Sequence, residues 1–269
     1  MYQYLFNMAI SISEDISYNS LFNLTLDVYQ NDEKKNNKAL IVMHGGGWFQ
    51  GDKKKDKDLA LLLAGEGYIV FVPNYRLAPG NLYPAALNDA YSAYQWIKES
   101  GYSFDRNKIG IIGSSAGGNL AIEVAIKYGI PAVSWSGIID MYEWVTQHEN
   151  VIAQKNTTQN FASDQSAKID QDGKNDPFYK WFILNYVGSD LNLLKQATLL
   201  YRLSNSTGPM FLANSLNEFV PVSGVLALQS ALIKYNIPSS VQLIAGTKHA
   251  KGYMDKVLDS SLAFFQCYL

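Results

Sequence analysis

The segment that most constrains the fold is the pentapeptide Gly-Ser-Ser-Ala-Gly at residues 113–117, because of what lies on either side of it. Residues 108–112 are mostly apolar and predict a buried strand, and residues 118–126 predict a helix packed against a sheet. The glycine at each end indicates a sharp turn, since a Cβ there would crowd the neighbouring backbone. Such a turn places Ser115 at the head of a helix, where free N–H groups and the helix dipole favour a developing negative charge.

Apolar runs and helical patterns alternate along the rest of the chain. Unbroken apolar runs, typical of parallel strands buried on both faces, occur at 40–43, 68–72, 109–112, 132–135, 210–213 and 241–245. Residues 22–29 alternate between apolar and polar and predict a half-buried antiparallel or edge strand. Helical patterns occur at 59–64, 85–98, 119–128, 222–235 and 254–265. We therefore expect an α/β fold, a mostly parallel twisted sheet with helices on both faces, whose ligand binds beyond the carboxyl ends of the strands.

A second glycine-rich segment, His-Gly-Gly-Gly-Trp at 44–48, follows a predicted buried strand. Consecutive glycines allow the backbone to turn its N–H groups into a cavity. If Ser115 is a nucleophile, the N–H groups of Gly46, Gly47 and Ala116 are the expected oxyanion hole. The alternatives are a flexible loop without a role and a phosphate-binding loop, but no Gly-Lys-Ser/Thr follows, which excludes the phosphate loop. His44 is expected to brace this loop by hydrogen bonds rather than to act as a base.

Serine nucleophiles need a base, and the chain has only three histidines. His249 follows the strand-like residues 240–245, where a loop at the end of the last strand would carry a catalytic base. The alternative is a solvated loop histidine. His148 lies in a polar, irregular stretch and is expected at the surface.

Taken together, these segments resemble the α/β-hydrolase superfamily, specifically the esterase and lipase branch related to hormone-sensitive lipase. The resemblance extends from about residue 26 to the C-terminus, except for a divergent insertion at about 141–200. The residues that carry it are His-Gly-Gly-Gly-Trp at 44–48, Asn-Tyr-Arg-Leu-Ala-Pro at 74–79, Tyr-Pro-Ala-Ala-Leu-Asn-Asp-Ala at 83–90 and Gly-Ser-Ser-Ala-Gly-Gly at 113–118. It implies an α/β-hydrolase fold, a carboxylic ester hydrolase with a Ser–acid–His triad, and no cofactor or metal. Arg76 is expected to pair with an acid such as Asp89.

The acid of the triad departs from the pattern that the resemblance implies. The position usually held by aspartate is Asn217 here, and a carboxylate follows at Glu218. An amide carries no charge to stabilise an imidazolium ion, so we expect Glu218 to complete the triad. The chain order Ser115, Glu218, His249 matches the order that this fold requires. The alternative is that Glu218 faces solvent and Asn217 alone orients the histidine ring.

The insertion at 141–200 breaks the rhythm of strands and helices. Residues 154–176 are polar and lack an apolar period, and a long irregular segment of this kind is usually functional or disordered. We expect it to form part of a cap over the active site within a single domain, 1–269. An aromatic cluster surrounds it, which is either a pocket wall or the core that docks the cap: Tyr142, Trp144, Phe178, Tyr179, Trp181, Phe182 and Tyr186.

Composition limits which partners and which cellular compartment are expected for this chain. The net charge of −2 gives no electrostatic footprint for nucleic acid or an anionic membrane. The one cysteine, Cys267, excludes an intrachain disulfide, and no apolar run reaches the ~18 residues that span a bilayer. Residues 1–8 lack the basic start of a signal peptide, so a cytoplasmic enzyme is expected.

The expected substrate is a small ester with a short acyl chain, and a homo-oligomer stays open as an alternative to a monomer. Two other functions stay open. The first is an amidase such as an arylformamidase, which would use the same glycine loop. The second is a pseudo-enzyme that binds a ligand with an inactive triad, an interpretation that only Asn217 favours.

Overall fold

The computed structural model describes residues 9–159 and 164–269. The expectation about a signal peptide at residues 1–8 and the part of the predicted insertion at 160–163 lie outside the described residues. The strands are β1 (Ile10–Asn19), β2 (Leu24–Asn31), β3 (Ala39–Met43), β4 (Ile69–Pro73), β5 (Ile109–Ser114), β6 (Ala132–Trp135), β7 (Met210–Ser215) and β8 (Ser239–Ile244). The helices are α1 (Lys57–Gly65), α2 (Ala85–Glu99), α3 (Ala116–Tyr128), α4 (Met141–Gln147), α5 (Asp176–Tyr186), α6 (Leu191–Ala197), α7 (Val222–Lys234) and α8 (Met254–Tyr268).

These strands form one eight-stranded sheet in the order β1-β2-β4-β3-β5-β6-β7-β8. The strands from β3 to β8 pair in parallel, whereas β1 and β2 join the sheet antiparallel. Met43, the last residue of β3, pairs with Gly113 of β5, and Ser114 pairs with Trp135 of β6. The glycine-rich loop and the turn after β5 therefore leave the same edge of the sheet side by side, as the sequence predicted.

Two apolar cores lie on opposite faces of this sheet. On β3, Ile41 belongs to one core and the adjacent Leu40 and Val42 to the other. The core that contains Ile41 includes side chains of α2, α3 and α7, and the core that contains Leu40 includes α1 and α8. Successive side chains of a strand point to opposite faces, so an unbroken apolar run is what a sheet covered on both sides needs. The expected α/β class is confirmed.

Several predicted boundaries were wrong or incomplete. β1 was not predicted, because its mixed sequence forms an edge strand that is half exposed. The predicted strand 22–29 begins later, at Leu24. The predicted helix 119–128 begins at Ala116, directly after Ser115. Inside the insertion, the short helices α4 and α6 were missed because seven residues are too few to show a helical period.

The predicted contact between Arg76 and Asp89 is confirmed. The guanidinium donates from Nε and Nη2 to the Asp89 carboxylate at 2.9 and 2.7 Å, and the Arg76 backbone N–H donates to it at 2.8 Å. Asp89 lies on α2, so the pair ties the loop after β4 to that helix. In the described ranges, no helix is both long and apolar enough to cross a membrane. The single domain with its insertion at 141–200 stays a prediction.

Candidate active site

Ser115 lies in a sharp turn between β5 and α3, and its backbone φ of 56° is in the left-handed region. A Cβ at Gly117 would overlap the Met43 carbonyl of the neighbouring strand, and a Cβ at Gly113 would overlap the backbone of Gly117. The Ser115 N–H donates to the Trp135 carbonyl at 2.8 Å, which ties the turn to β6. Strained backbone held by close contacts on both sides is typical of a nucleophile at the head of a helix.

The glycine-rich loop lies against this turn. Gly46 has a φ of 118°, and a Cβ there would overlap the backbone of Gln50. Its carbonyl accepts from the N–H groups of Phe49 and Gln50, both at 3.1 Å, which closes the loop. In residues 9–159 and 164–269, the N–H groups of Gly46 and Gly47 have no protein acceptor. The N–H of Ala116, the first residue of α3, belongs to the helix end that has no partner within the helix.

The two other histidines have structural surroundings. His44 Nδ1 lies 2.8 Å from the Gly45 carbonyl, and the ring stacks on Tyr75 at a centroid distance of 4.1 Å. Burial lowers the pKa of His44, which favours the neutral ring. His44 therefore braces the glycine loop, as expected. His148 lies at the end of α4, where it stacks on Trp144.

His249 and Glu218 form a buried pair. His249 Nδ1 lies 2.5 Å from Glu218 Oε2, and only 5% and 2% of the two residues is exposed. The other oxygen, Oε1, accepts from the Ser215 N–H at 2.7 Å and from the Ser136 hydroxyl at 2.9 Å. Three donors therefore surround this one carboxylate. Asn217 is exposed, and its backbone N–H donates to the Gly246 carbonyl at 3.0 Å, so the carboxylate rather than the amide touches the ring.

Ser136 supports this pair, and the sequence analysis did not identify it. Its hydroxyl donates to Glu218, accepts from the Ala250 N–H at 2.9 Å and lies 2.6 Å from the Tyr253 hydroxyl. The Tyr253 hydroxyl in turn lies 3.0 Å from the Ala213 carbonyl of β7. The signal that could have found Ser136 is its position, directly after β6 at the carboxyl edge of the sheet.

Gln171, from the insertion, holds the backbone of His249 on both sides. Its Oε1 accepts from the His249 N–H at 3.1 Å, and its Nε2 donates to the His249 carbonyl at 3.0 Å. The Thr247 hydroxyl donates to the Gln171 carbonyl at 3.0 Å. A side-chain amide that pairs with a backbone amide in both directions fixes the position of the loop. The sequence analysis missed Gln171 because the insertion has no periodic pattern around it.

Ser115 and His249 line one cavity, whose volume of about 660 Å³ includes space that is open to solvent. In the described part of the chain the Ser115 hydroxyl makes no hydrogen bond to His249, a bond that often forms only with substrate present. One wall is aromatic: Phe49, Phe178, Phe182 and Phe219. The polar lining side chains, called the polar wall here, are Gln50, Lys55, Asp56, Ser166, Asp170 and Lys251. Across the described ranges, no group of three or more His, Cys, Asp or Glu side chains has the arrangement of a metal site.

The aromatic cluster of the insertion divides between the two interpretations that the sequence left open. Phe178 and Phe182 line the cavity, as a pocket wall would. Tyr186 is buried in the core, where it stacks on Trp48 at 4.1 Å, and Tyr179 is buried against Trp144. The same helix, α5, therefore docks the insertion on the sheet with one face and contributes to the cavity with another.

Comparison with known proteins gives matches by sequence. The BD-FAE family model matches residues 26–232. Carboxylesterase NlhH of Mycobacterium tuberculosis is 33% identical over 114 residues, which are 41% of this chain and 36% of the relative. Arylacetamide deacetylase of Bos taurus is 36% identical over 121 residues, 42% of this chain and 30% of the relative. The matched segments thus cover well under half of each relative.

A solved structure is similar over nearly the whole chain. A truncated carbohydrate esterase from gut microbiota superposes with a TM-score of 0.75, covering 97% of this chain and 98% of that one, at 18% sequence identity. At this identity the likeness concerns the fold alone.

Proposed function

The chain belongs to the BD-FAE family, within the esterase and lipase branch of the α/β-hydrolases, and from that premise we propose that it hydrolyses carboxylic esters through an acyl-enzyme on Ser115. The observation that carries the proposal is the bond between His249 Nδ1 and Glu218 Oε2, at 2.5 Å, beside a cavity that Ser115 lines. In this arrangement His249 Nε2 is left to accept a proton from the serine.

In the first step, the Ser115 hydroxyl attacks the ester carbonyl and His249 takes its proton. Glu218 accepts the Nδ1–H bond, which selects the tautomer with a free Nε2 and stabilises the imidazolium ion that forms. Ser136 and the Ser215 N–H keep the carboxylate in place by bonding its other oxygen. The carbon–oxygen bond of the leaving alcohol then breaks, and His249 returns the proton to that oxygen.

The negative charge of the tetrahedral intermediate needs donors that have no other partner. The N–H groups of Gly46, Gly47 and Ala116 fill this role in our proposal, because they flank Ser115 and carry no competing bond in the described part of the loop. Each such donor stabilises the transition state by about 3 kcal/mol. Water then attacks the acyl-enzyme along the same path, releasing the acid and regenerating Ser115.

The shape of the cavity favours small esters. Part of its space is open to solvent, and the remainder has room for a short acyl chain and a modest alcohol. We propose that acetyl and butanoyl esters react faster than long-chain esters. Phe178 and Phe182 close one side of the cavity, which supports a limit on acyl length and a cap at 141–200 within a single domain. Faster turnover of dodecanoyl than of acetyl p-nitrophenyl esters would contradict it.

An amidase is the second candidate, favoured by the similarity to a protein named arylacetamide deacetylase. The same residues can cleave an amide, but the leaving amine must be protonated before it departs. The distinguishing experiment compares p-nitrophenyl acetate with p-nitroacetanilide, which share the acetyl group and differ in the leaving atom. A larger kcat/KM for the anilide would favour the amidase.

The central experiment uses the purified protein with p-nitrophenyl acetate and a serine-directed organophosphate. We expect turnover, loss of turnover with the organophosphate, and a covalent adduct on Ser115 in the peptide map. The absence of both turnover and adduct would instead favour a ligand-binding pseudo-enzyme.

A further inference from the structure

Asp170 is a carboxylate in the catalytic cavity that the proposed mechanism does not use. It lines the polar wall, and in residues 9–159 and 164–269 its side chain makes no hydrogen bond or ion pair. Its backbone φ is 55°. The pKa of this carboxyl is raised to about 6, mainly by burial. The nearby His249 opposes this rise in part, and Asp172 adds to it. An unpaired, half-buried carboxylate costs stability, so a ligand that compensates its charge would bind favourably there.

The position of Asp170 relative to His249 is fixed. The next residue, Gln171, bonds both backbone groups of His249, and Thr247 bonds the Gln171 carbonyl. The backbone N–H of Asp170 itself donates to Gln159 Oε1 at 3.2 Å. The segment that carries the Asp170 carboxylate is therefore bonded directly to the loop of the catalytic histidine.

The lysines of the same wall already have partners. Lys251 lies 3.3 Å from Asp56 Oδ1 and also pairs with Asp58. Lys55 Nζ donates to the Asp164 carbonyl at 2.7 Å. Within the described residues, neither lysine forms an ion pair with Asp170. Asp170 is thus the charged group of this wall that is left for a ligand.

Aromatic rings complete the surroundings of the histidine. Phe219 contacts the His249 ring edge-to-face at a centroid distance of 5.4 Å, and it lines the cavity together with Phe49, Phe178 and Phe182. Alkylammonium groups bind where aromatic rings meet their methyl groups and a carboxylate meets their charge. A neutral ester would use the rings but leave the carboxylate without a partner.

We propose that the cavity selects esters whose alcohol half carries an alkylammonium group, with Asp170 as its counter-ion and the phenylalanine wall against its methyl groups. This rests on the proposed ester hydrolysis. The alcohol half is the one concerned, because His249 hands its proton to the leaving oxygen and Asp170 is held beside His249. Asp170 is a specificity residue and takes no part in bond breaking.

The test compares acetylcholine with 3,3-dimethylbutyl acetate, its uncharged isostere. Acetate release at pH 7.5 gives kcat/KM for each ester, and their ratio isolates the charge. We expect the wild-type protein to favour acetylcholine by at least about tenfold, the effect of one close charge pair near a surface. Asp170→Asn should bring the ratio close to one while still hydrolysing the neutral ester. Asparagine tolerates a positive φ, so this variant should fold.

Asp172→Asn is the matched control. It removes the same charge two residues further along the chain, and the Asp172 side chain is exposed and does not line the cavity. It should keep the wild-type ratio. Equal turnover of both esters by the wild-type protein, or a preference for acetylcholine that survives Asp170→Asn, would overturn the inference. Turnover of p-nitrophenyl acetate without turnover of acetylcholine would also overturn the inference, but it would still support the proposed ester hydrolysis. Failure with all three esters would instead overturn the proposed function.

A pH series on the wild-type protein tests the same idea without a substitution. The preference should fall as the pH drops below about 6, where the Asp170 carboxyl becomes neutral. Both esters react through the same Ser115, His249 and Glu218, so a pH effect on that shared chemistry cancels in the ratio. The other charged groups that line this wall are Lys55, Asp56 and Lys251. A ratio that is the same at pH 5 and pH 7.5 would contradict the role of Asp170.

Discussion

The carboxyl edge of the sheet and the inserted segment build the same cavity by different means. At the sheet edge, backbone packs on backbone: Gly117 approaches Met43 so closely that no side chain fits between them. In the insertion, side chains reach across to the site, as Gln171 does when it bonds the backbone of His249. Changes at the edge should therefore remove the chemistry, and changes in the insertion should alter its efficiency, its selectivity and the stability of the fold.

The largest expected effect is at the edge. Ser115→Ala should reduce ester hydrolysis by at least ~10⁴-fold, because the nucleophile is lost. The free energy of unfolding should change by less than ~1 kcal/mol, since the Ser115 hydroxyl bonds no described side chain and alanine meets the same backbone strain. Steady-state kinetics and denaturant unfolding measure both. Residual activity above a few per cent would disprove the assignment of Ser115.

The acid should come next. Glu218→Gln keeps the shape but removes the charge beside His249, and kcat should fall at least ~10²-fold. The matched variant Asn217→Ala changes an exposed neighbour and should lose far less. Measuring kcat for both at one pH decides between the two positions, and the opposite order would mean that Asn217 fills the place of the acid.

In the insertion, Gln171→Met should have a smaller effect on the reaction. Methionine fills a similar volume but leaves the His249 N–H unpaired, which costs about 1–3 kcal/mol, and the His249 carbonyl keeps only the bond from the Gly252 N–H. We expect kcat to fall about tenfold with little change in KM, because the histidine loop loses its position while the cavity walls stay. Gln165→Met, an exposed residue of the same segment, is the control. A pure loss of stability with unchanged kcat would make Gln171 structural only.

The smallest effect concerns stability and pH. The pKa of Asp170 is about 6 when the chain is folded, against an ordinary value of 3.8. Between these values the unfolded chain has lost the proton that the folded chain keeps, so this residue lowers stability as the pH rises from about 4 to 6. Asp170→Asn should therefore be more stable than the wild type by about 1–3 kcal/mol at pH 7.5 and equal to it below about pH 4. Thermal unfolding at both pH values, with Asp172→Asn as control, measures the difference. A destabilised Asp170→Asn at pH 7.5 would contradict the cost of that buried charge.

The expectations from the sequence were strongest where the evidence is local. The strand, the glycines and the helix around Ser115 are contiguous, and each restricts the backbone of its neighbour. β1 was not predicted because an edge strand needs no clear apolar face. The helices α4 and α6 were not predicted because their stability comes from packing rather than from their own sequence. The insertion at 141–200 as a cap remains a proposal of the sequence analysis.

By itself, the sequence determined that a serine would stand at a strained turn beside a glycine loop, because that geometry depends on glycines that no other residue can replace. The tertiary structure decided which of two adjacent residues faces the histidine: the turn after β7 buries Glu218 and exposes Asn217. It also brought Ser136 to Glu218 across 82 residues and Gln171 to His249 across 78. Hydrogen bonds over such separations leave no periodic trace in a sequence, since they depend on where whole strands and helices pack.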